Sequence, residues 1–383
     1  MHKISLNYAL VNHRTETLTA GRADMNEVAA DLHHPLMTML DAIHRSGSIS
    51  GAARLLGLSY RHVWGELKRW EIELGDTLVI WSKGQPATLS PFGAKLLWAE
   101  RHAQARLAPQ IEAMRVELQR AFAIAFDDTA GVITLYASHD HALPRLREWV
   151  QARHRLHLDI QFTGSVDALA ALNEGRCLLA GFHALTAAPL RSPTAGVYCP
   201  MLKPGRHKLI GFAQRNQGLM VAAGNPLNIR SLHDLTRPGL RFVHRPRGTG
   251  TRVVLEELLA AQHIKPEQIG GFDRTEPSHQ AAAVVVASGS ADAAFGIEVA
   301  ALDNGLEFVP LARENYFLVT LAAQLGHPHV AELLRALREP AWRSIIESIP
   351  GYSADGSGEV LSLRAVLPWW TYRKPKPVAK QPT

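Results

Sequence analysis

The sequence predicts an α+β winged helix-turn-helix head, a long linker helix, and an α/β domain of two lobes. Three observations predict it. Residues 47–64 read as two short helices joined by a glycine turn, apolar residues recur at three and four along residues 103–122, and beyond residue 131 helical periodicity gives way to alternating strands and helices.

The head spans residues 34–90, behind an N-terminal extension at 1–33 in which Ile4, Leu6, Tyr8 and Leu10 alternate as a strand that could pair with Thr15 to Thr19. Leu36, Met39, Leu40 and Ile43 mark the first helix. Ser48 and Ser59 are placed to cap the next two, since a serine hydroxyl accepts from the free N–H groups at a helix start, and Gly57 supplies the left-handed turn between them. In the third helix Val63, Leu67, Trp70 and Leu74 form one apolar stripe, leaving Tyr60, Arg61, His62, Lys68 and Arg69 on the other face. Thr77 to Trp81 and Ala87 to Leu89 read as short strands around a turn-rich tip that carries Lys83. Three helices and such a wing fit the major groove of DNA, with Ser48, Ser59, Tyr60, Arg61, His62, Lys68, Arg69 and Lys83 as candidate contacts. The plainer alternative is a helical hairpin with a solvated basic face.

Ser90-Pro91 opens a helix expected over residues 91–126, with a kink or boundary near Ala108 because Pro109 follows. Ala103, Leu107, Ile111, Met114, Leu118 and Phe122 give it a seam suited to a second copy, so the expected assembly is a homodimer or a tetramer; the alternative is packing against its own domain. Asp127 to Gly131 reads as a linker. The α/β domain is then expected over residues 130–370, beginning with strand Gly131 to Ser138, helix Ala142 to Ala152, strand Leu156 to Thr163, helix Ser165 to Asn173 and strand Cys177 to Phe182. Strands follow at His207 to Gln214 and Gly218 to Ala223, flanking a turn at Arg215-Asn216-Gln217, and again at Leu240 to His244, Ala293 to Ile297, Phe308 to Pro310 and Tyr316 to Thr320. A helical segment from His329 to Ser348 should break at Pro340, and residues 371–383 read as a disordered tail.

In open α/β sheets ligands bind beyond the carboxyl ends of the strands. The corners there are Ser138-His139-Asp140, Gly164-Ser165, His183, Ser278-His279, and above all Arg245-Pro246-Arg247-Gly248-Thr249-Gly250-Thr251-Arg252. In that last run the glycines admit close approach, the threonines donate, and Arg245, Arg247 and Arg252 suit an oxyanion. The Gly-Lys-Ser/Thr ending of a triphosphate loop is missing. A glycine-rich turn with solvated arginines is the alternative, and hydrogen-bonded structural roles stand beside ligand contact for His139, His183 and His279.

Of 383 residues, 41 are Lys or Arg and 35 are Asp or Glu, giving a formal charge of +6, which suits a polyanionic partner. The two cysteines, Cys177 and Cys199, lack zinc-ligand spacing and point to buried thiols in a reducing cytoplasm. No apolar run reaches membrane-spanning length, so no membrane partner is expected.

GSISGAARLLGLSYRHVW, the following LG and LV, the wing and LSPFGAKLL together resemble the DNA-binding domain shared by LysR-type regulators and the molybdate-responsive ModE family, with Ser59-Tyr60-Arg61 and Trp64 closer to ModE. RPRGTGTRVVLEELL, EPSHQAAAVVVASGSADAAFGIE and GLEFVPL resemble the type II periplasmic-binding-protein-like (PBP-like) effector module of regulators with such heads, also found fused to molybdopterin-biosynthesis proteins. The resemblance implies a transcriptional regulator rather than an enzyme, with double-stranded DNA and a small anionic effector as partners. That effector would be molybdate, tungstate or a molybdenum-cofactor species in the interlobe cleft, with no covalent cofactor. Two positions depart from the pattern: Leu178 replaces an acidic residue, and Ser278 replaces threonine while keeping the hydroxyl. A LysR-type sensor of a small organic anion would use the same arginines. An enzyme acting on a phosphorylated or molybdopterin substrate, with His139 and Asp140 or Glu276 and His279 as acid and base, is the reading from another class.

Overall fold

A computed structural model describes residues 34–81, 85–126, 131–186 and 192–370. The expected N-terminal strand pair, Lys83 at the wing tip, residues 127–130 of the linker and the tail from residue 371 lie outside the described residues. The chain divides into two compact units, residues 1–112 and 113–383.

In the first unit, α1 (Pro35–Ser46), α2 (Ile49–Leu55) and α3 (Tyr60–Leu74) are each set by a local signal. Ser48 Oγ accepts from Gly51 N at 2.8 Å and Ser59 Oγ from His62 N at 3.1 Å. Gly47, Gly57 and Gly75 close the helices at positive φ. Leu40, Ile43, Ala52, Val63 and Leu67 form the shared core, while Trp70 and Leu74 are only half-buried against it. The wing is smaller than expected, β1 (Val79–Ile80) pairing antiparallel with β2 (Thr88–Leu89). Ser90 ties it to α4 (Pro91–Phe126), its Oγ bonding Thr77 O and accepting from Gly93 N at 2.9 Å. Of the kink or boundary expected near Ala108, the boundary is absent, since α4 runs through Pro109. A proline removes one backbone hydrogen bond, and the long helix absorbs that loss.

The second unit is one sheet of nine strands flanked by helices. One lobe carries β3 (Gly131–Ala137), α5 (Ala142–His154), β4 (Leu156–Phe162), α6 (Ser165–Asn173), β5 (Leu179–Leu185) and α7 (Pro193–Tyr198). After β6 (His207–Val221), the other lobe adds β7 (Phe242–Val243), α8 (Gly250–Ala261), α9 (His279–Ala287), β8 (Ala293–Ile297) and α10 (Glu298–Asp303). The chain then returns along β9 (Glu307–Leu321) and closes with α11 (Pro328–Arg338), α12 (Pro340–Glu347), β10 (Tyr352–Ser353), β11 (Val360–Ser362) and α13 (Leu363–Val366). The order across the sheet is β4-β3-β5-β9-β6-β8-β7, with β10 and β11 also paired to β6.

Two expectations are corrected here. Arg215-Asn216-Gln217 is not a turn, since β6 is one strand of 15 residues, and the two pieces expected around residues 308–320 are the single strand β9. These strands pair antiparallel along their length and serve both lobes. Their polar centre suggests a loop in sequence, yet Arg215 and Gln217 are buried and Arg215 stands opposite Glu314 in register. The break at Pro340 is where it was expected, proline opening α12 immediately after α11. Three apolar cores hold the unit, around Leu146, Ile160 and Trp342, around Phe182, Tyr198 and Trp369, and around Phe242, Leu259 and Phe272.

Candidate functional site

In the first unit, Tyr60, Arg61 and His62 occupy the exposed first turn of α3. Ser48 and Ser59 are spent as caps, so their hydroxyls position the helices. Lys68 and Arg69 are less free than the sequence suggests, because Lys68 Nζ is 2.6 Å from Glu71 and Arg69 pairs with Glu66 while lying over Trp70. Arg54 at the end of α2 and Trp64 on α3, passed over as candidates, are exposed as well.

The second unit brings the expected corners together around one arginine that the sequence did not single out. Arg215 Nη1 bonds Asp140, its Nε bonds Glu314, and its Nη2 lies 3.2 Å from His183 Nδ1. Asp140 also accepts from Tyr352 OH at 2.6 Å and from Ala142 N at 2.7 Å. It therefore supports Arg215 and the start of α5. Gln217 Nε2 donates to Glu314 at 2.8 Å and lies 3.5 Å from Thr251 Oγ1, which is 3.3 Å from His279 Nε2. Ser138 and Ser165 approach each other at 3.4 Å between their hydroxyls.

The lobes meet at the glycines of the predicted cradle. A Cβ on Gly164, which precedes α6, would stand 2.6 Å from Gly248 O, and one on Gly250 would stand 2.8 Å from the His183 ring and 3.0 Å from Ser165 Oγ. Gly248 itself sits at φ +84°, a conformation that favours glycine. Thr249 caps α8 and Ser278 caps α9, so both helices open toward this cluster.

Arg245 is the exception among the charges. It is 4% exposed, its Nε has no partner among the described residues, and no carboxylate there pairs with its guanidinium. Burial, then the Arg215 charge, pulls its pKa down to about 9, so it remains cationic at neutral pH. Arg215 is the reverse case: burial opposes its charge, and Glu314, with Tyr352 and Asp140, raises its pKa well above the arginine value. Burial, followed by the two arginines, lowers His183 and His279 well below their usual range. His139, packed on Phe162 with ring centroids 4.8 Å apart, falls to about 4, chiefly through burial. All three histidines are neutral at pH 7.

Two predicted arginines do not join. Arg247 is exposed. Arg252 bonds Glu256 and His244 and lies over Phe272, which fixes α8 to its own lobe. The ring of His279 is wedged between Thr251 and β8, a Cβ on Gly296 standing 3.1 Å from Nδ1. Arg215, Gln217 and Glu314 were missed; the spacing of Arg215 and Gln217 at i and i+2, on one face of an extended strand, could have found those two, whereas Glu314 comes from the facing strand β9. Among the described residues no group of three His, Cys, Asp or Glu side chains could hold a metal ion, and no helix is long and apolar enough to cross a membrane. Cys177 and Cys199 are unpaired, and burial pushes the Cys177 thiol to about 11.

Residues 147–338 match the PBP superfamily domain, and residues 35–94 match the bacterial regulatory helix-turn-helix protein family, lysR type. An uncharacterized Bacillus subtilis (strain 168) protein, YvgK, is 31% identical over 205 residues, which are 52% of this chain and 64% of that one. The chain thus spans less than two thirds of that relative. An uncharacterized protein from the ferredoxin 2Fe-2S gene 5′ region of Clostridium pasteurianum is 30% identical over 111 residues, 29% of this chain and 98% of that one. Among solved structures, full-length BenM is 16% identical with a TM-score of 0.39, covering 82% of this chain and 96% of its own. Full-length CbnR complexed with its target DNA is 16% identical with a TM-score of 0.37, covering 79% and 98%.

Proposed function

This chain belongs to the PBP superfamily and carries a lysR-type regulatory helix-turn-helix ahead of that domain, and on this premise we propose that it is a transcriptional regulator whose DNA binding responds to a small anion. The observation that carries the proposal is Arg245, a buried guanidinium with no carboxylate partner among the described residues. An isolated buried charge is costly, and an anion bound beside it would offset that cost. The neutral histidines, the Ser138, Ser165 and Thr251 hydroxyls and the openings of α8 and α9 add donors without adding negative charge. Asp140 and Glu314 are already committed to Arg215 and so do not cancel Arg245.

In the other unit, Tyr60, Arg61 and His62 would read base edges, and Lys68, Arg69, Lys83 and Arg54 would contribute the salt-sensitive phosphate contacts. A homodimer formed along α4 would present two such heads to two half-sites. Within the effector class, molybdate, tungstate and a molybdenum-cofactor species are the narrower candidates, and small organic carboxylates the alternative. Calorimetric titration of the full-length protein with molybdate, tungstate, formate and acetate tests the reading. Saturable binding by wild type that Arg245→Met abolishes is expected, and equal binding by both proteins would place any anion elsewhere.

A further inference from the structure

The same cluster holds unmet acceptors as well as an unmet donor. Gln217 Nε2 is fixed toward Glu314, because a carboxylate can accept only from the amide nitrogen, and this leaves Gln217 Oε1 as the free end. That oxygen is buried without a partner among the described residues. Glu314 Oε1 accepts from both Arg215 and Gln217, whereas Glu314 Oε2 is equally buried and unpartnered. His183 Nδ1 faces the Arg215 guanidinium and must accept from it, so the ring proton sits on Nε2, which is also unpartnered. All three residues contact Arg215 directly or through Glu314, and Arg215 in turn acts on Arg245. Buried polar atoms without partners are few in folded proteins, and a group of them in one network marks what a ligand must supply.

Resting on the anion reading above, we propose that the effector carries a hydrogen-bond donor, a hydroxyl or an N–H, beside its negative group. Its negative oxygens meet Arg245 and the His183 Nε2–H, and its donor meets Gln217 Oε1 or Glu314 Oε2. A fully deprotonated oxyanion such as molybdate, tungstate or sulfate offers acceptors alone. It satisfies the arginine and leaves both oxygens desolvated and unmet, so of the effectors named above molybdate and tungstate are poorer ligands than a donor-bearing molybdenum-cofactor species or a hydroxylated carboxylate.

Matched pairs of probes read this out on the full-length protein without any variant. Sulfate is compared with inorganic phosphate, which keeps a proton at neutral pH, and acetate with glycolate, which adds one hydroxyl. Thermal shift and calorimetry should show the donor-bearing member of each pair binding at least about tenfold tighter, with molybdate grouping with sulfate. Acceptor-only members that bind as tightly as their partners, or more tightly, overturn the donor requirement and leave the anion reading standing. If no probe binds at millimolar concentration, the anion reading itself is overturned. Gln217→Met, checked for an unchanged melting profile, should shrink the preference within each pair, and an undiminished preference in that variant contradicts the assignment to this side chain.

Discussion

Arg245 and Arg215 are both buried guanidiniums, and they should respond oppositely to loss of charge. Arg215 is matched by Asp140 and Glu314, so Arg215→Met strands two buried carboxylates and should cost about 3–5 kcal/mol. Arg245 is matched by none among the described residues, so Arg245→Met should leave the melting temperature of the second unit unchanged or higher and remove the anion-induced rise. Calorimetric melts of the two variants decide this, and an Arg245→Met protein as unstable as Arg215→Met would make Arg245 a structural cation.

The histidines give a pH dependence whose sign is fixed. His139, His183 and His279 have folded pKa values below the ordinary 6.5, so below that value the unfolded chain binds protons that the folded chain refuses. Their stabilisation is present above pH 6.5 and is lost as pH falls, His139 alone accounting for up to about 3 kcal/mol by its folded value of about 4. Denaturant midpoints of the second unit should therefore fall between neutrality and about pH 5, with a shallower fall in His139→Gln. A midpoint that rises on acidification contradicts the assignment.

At the scale of elements, the helix starts were legible because capping is local: Ser48, Ser59 and Ser90 each sit where an unpaired N–H must be met. The long strands were not legible, because Arg215 and Gln217 look like loop residues until Glu314, about a hundred positions away, is known to face them. The cradle glycines were found in sequence, but their purpose was only half read. Gly164 and Gly250 are small so that one lobe can close on the other. Gly164→Val should hold the lobes apart and weaken anion binding by about an order of magnitude or more while the apolar cores stay intact. Calorimetry of that variant at wild-type affinity would show that closure at Gly248 is unnecessary.

On α4, Leu107, Met114 and Leu118 are exposed along the predicted seam, with Ile111 half-buried between them, and Phe122 lies outside the residues whose side chains are described. Met114→Glu with Leu118→Lys should convert a dimer to a monomer in sedimentation, since unlike a surface change this one places charge within an apolar stripe. An unchanged mass would assign the stripe another role.

At the scale of the whole molecule, composition and motif order were enough to separate a helix-turn-helix unit from an α/β unit, because each is organised by its own periodicity. What sequence could not supply is the balance of buried charge, which depends on which carboxylates meet which arginines across strands. That balance is what would let a small ligand control the protein. An anion changes DNA binding only if it binds one arrangement of the dimer better than another, by typically about 5- to 150-fold for a regulatory coupling.

The measurement that tests this most directly is a DNA footprint with an affinity curve, taken on an operator selected from random sequence. Wild type and Arg245→Met are compared, each with and without saturating amounts of the tightest-binding anion from the calorimetric panel. Wild type should show a changed footprint or affinity with the anion, and Arg245→Met should show none. Identical footprints and affinities in wild type with and without the anion would contradict it.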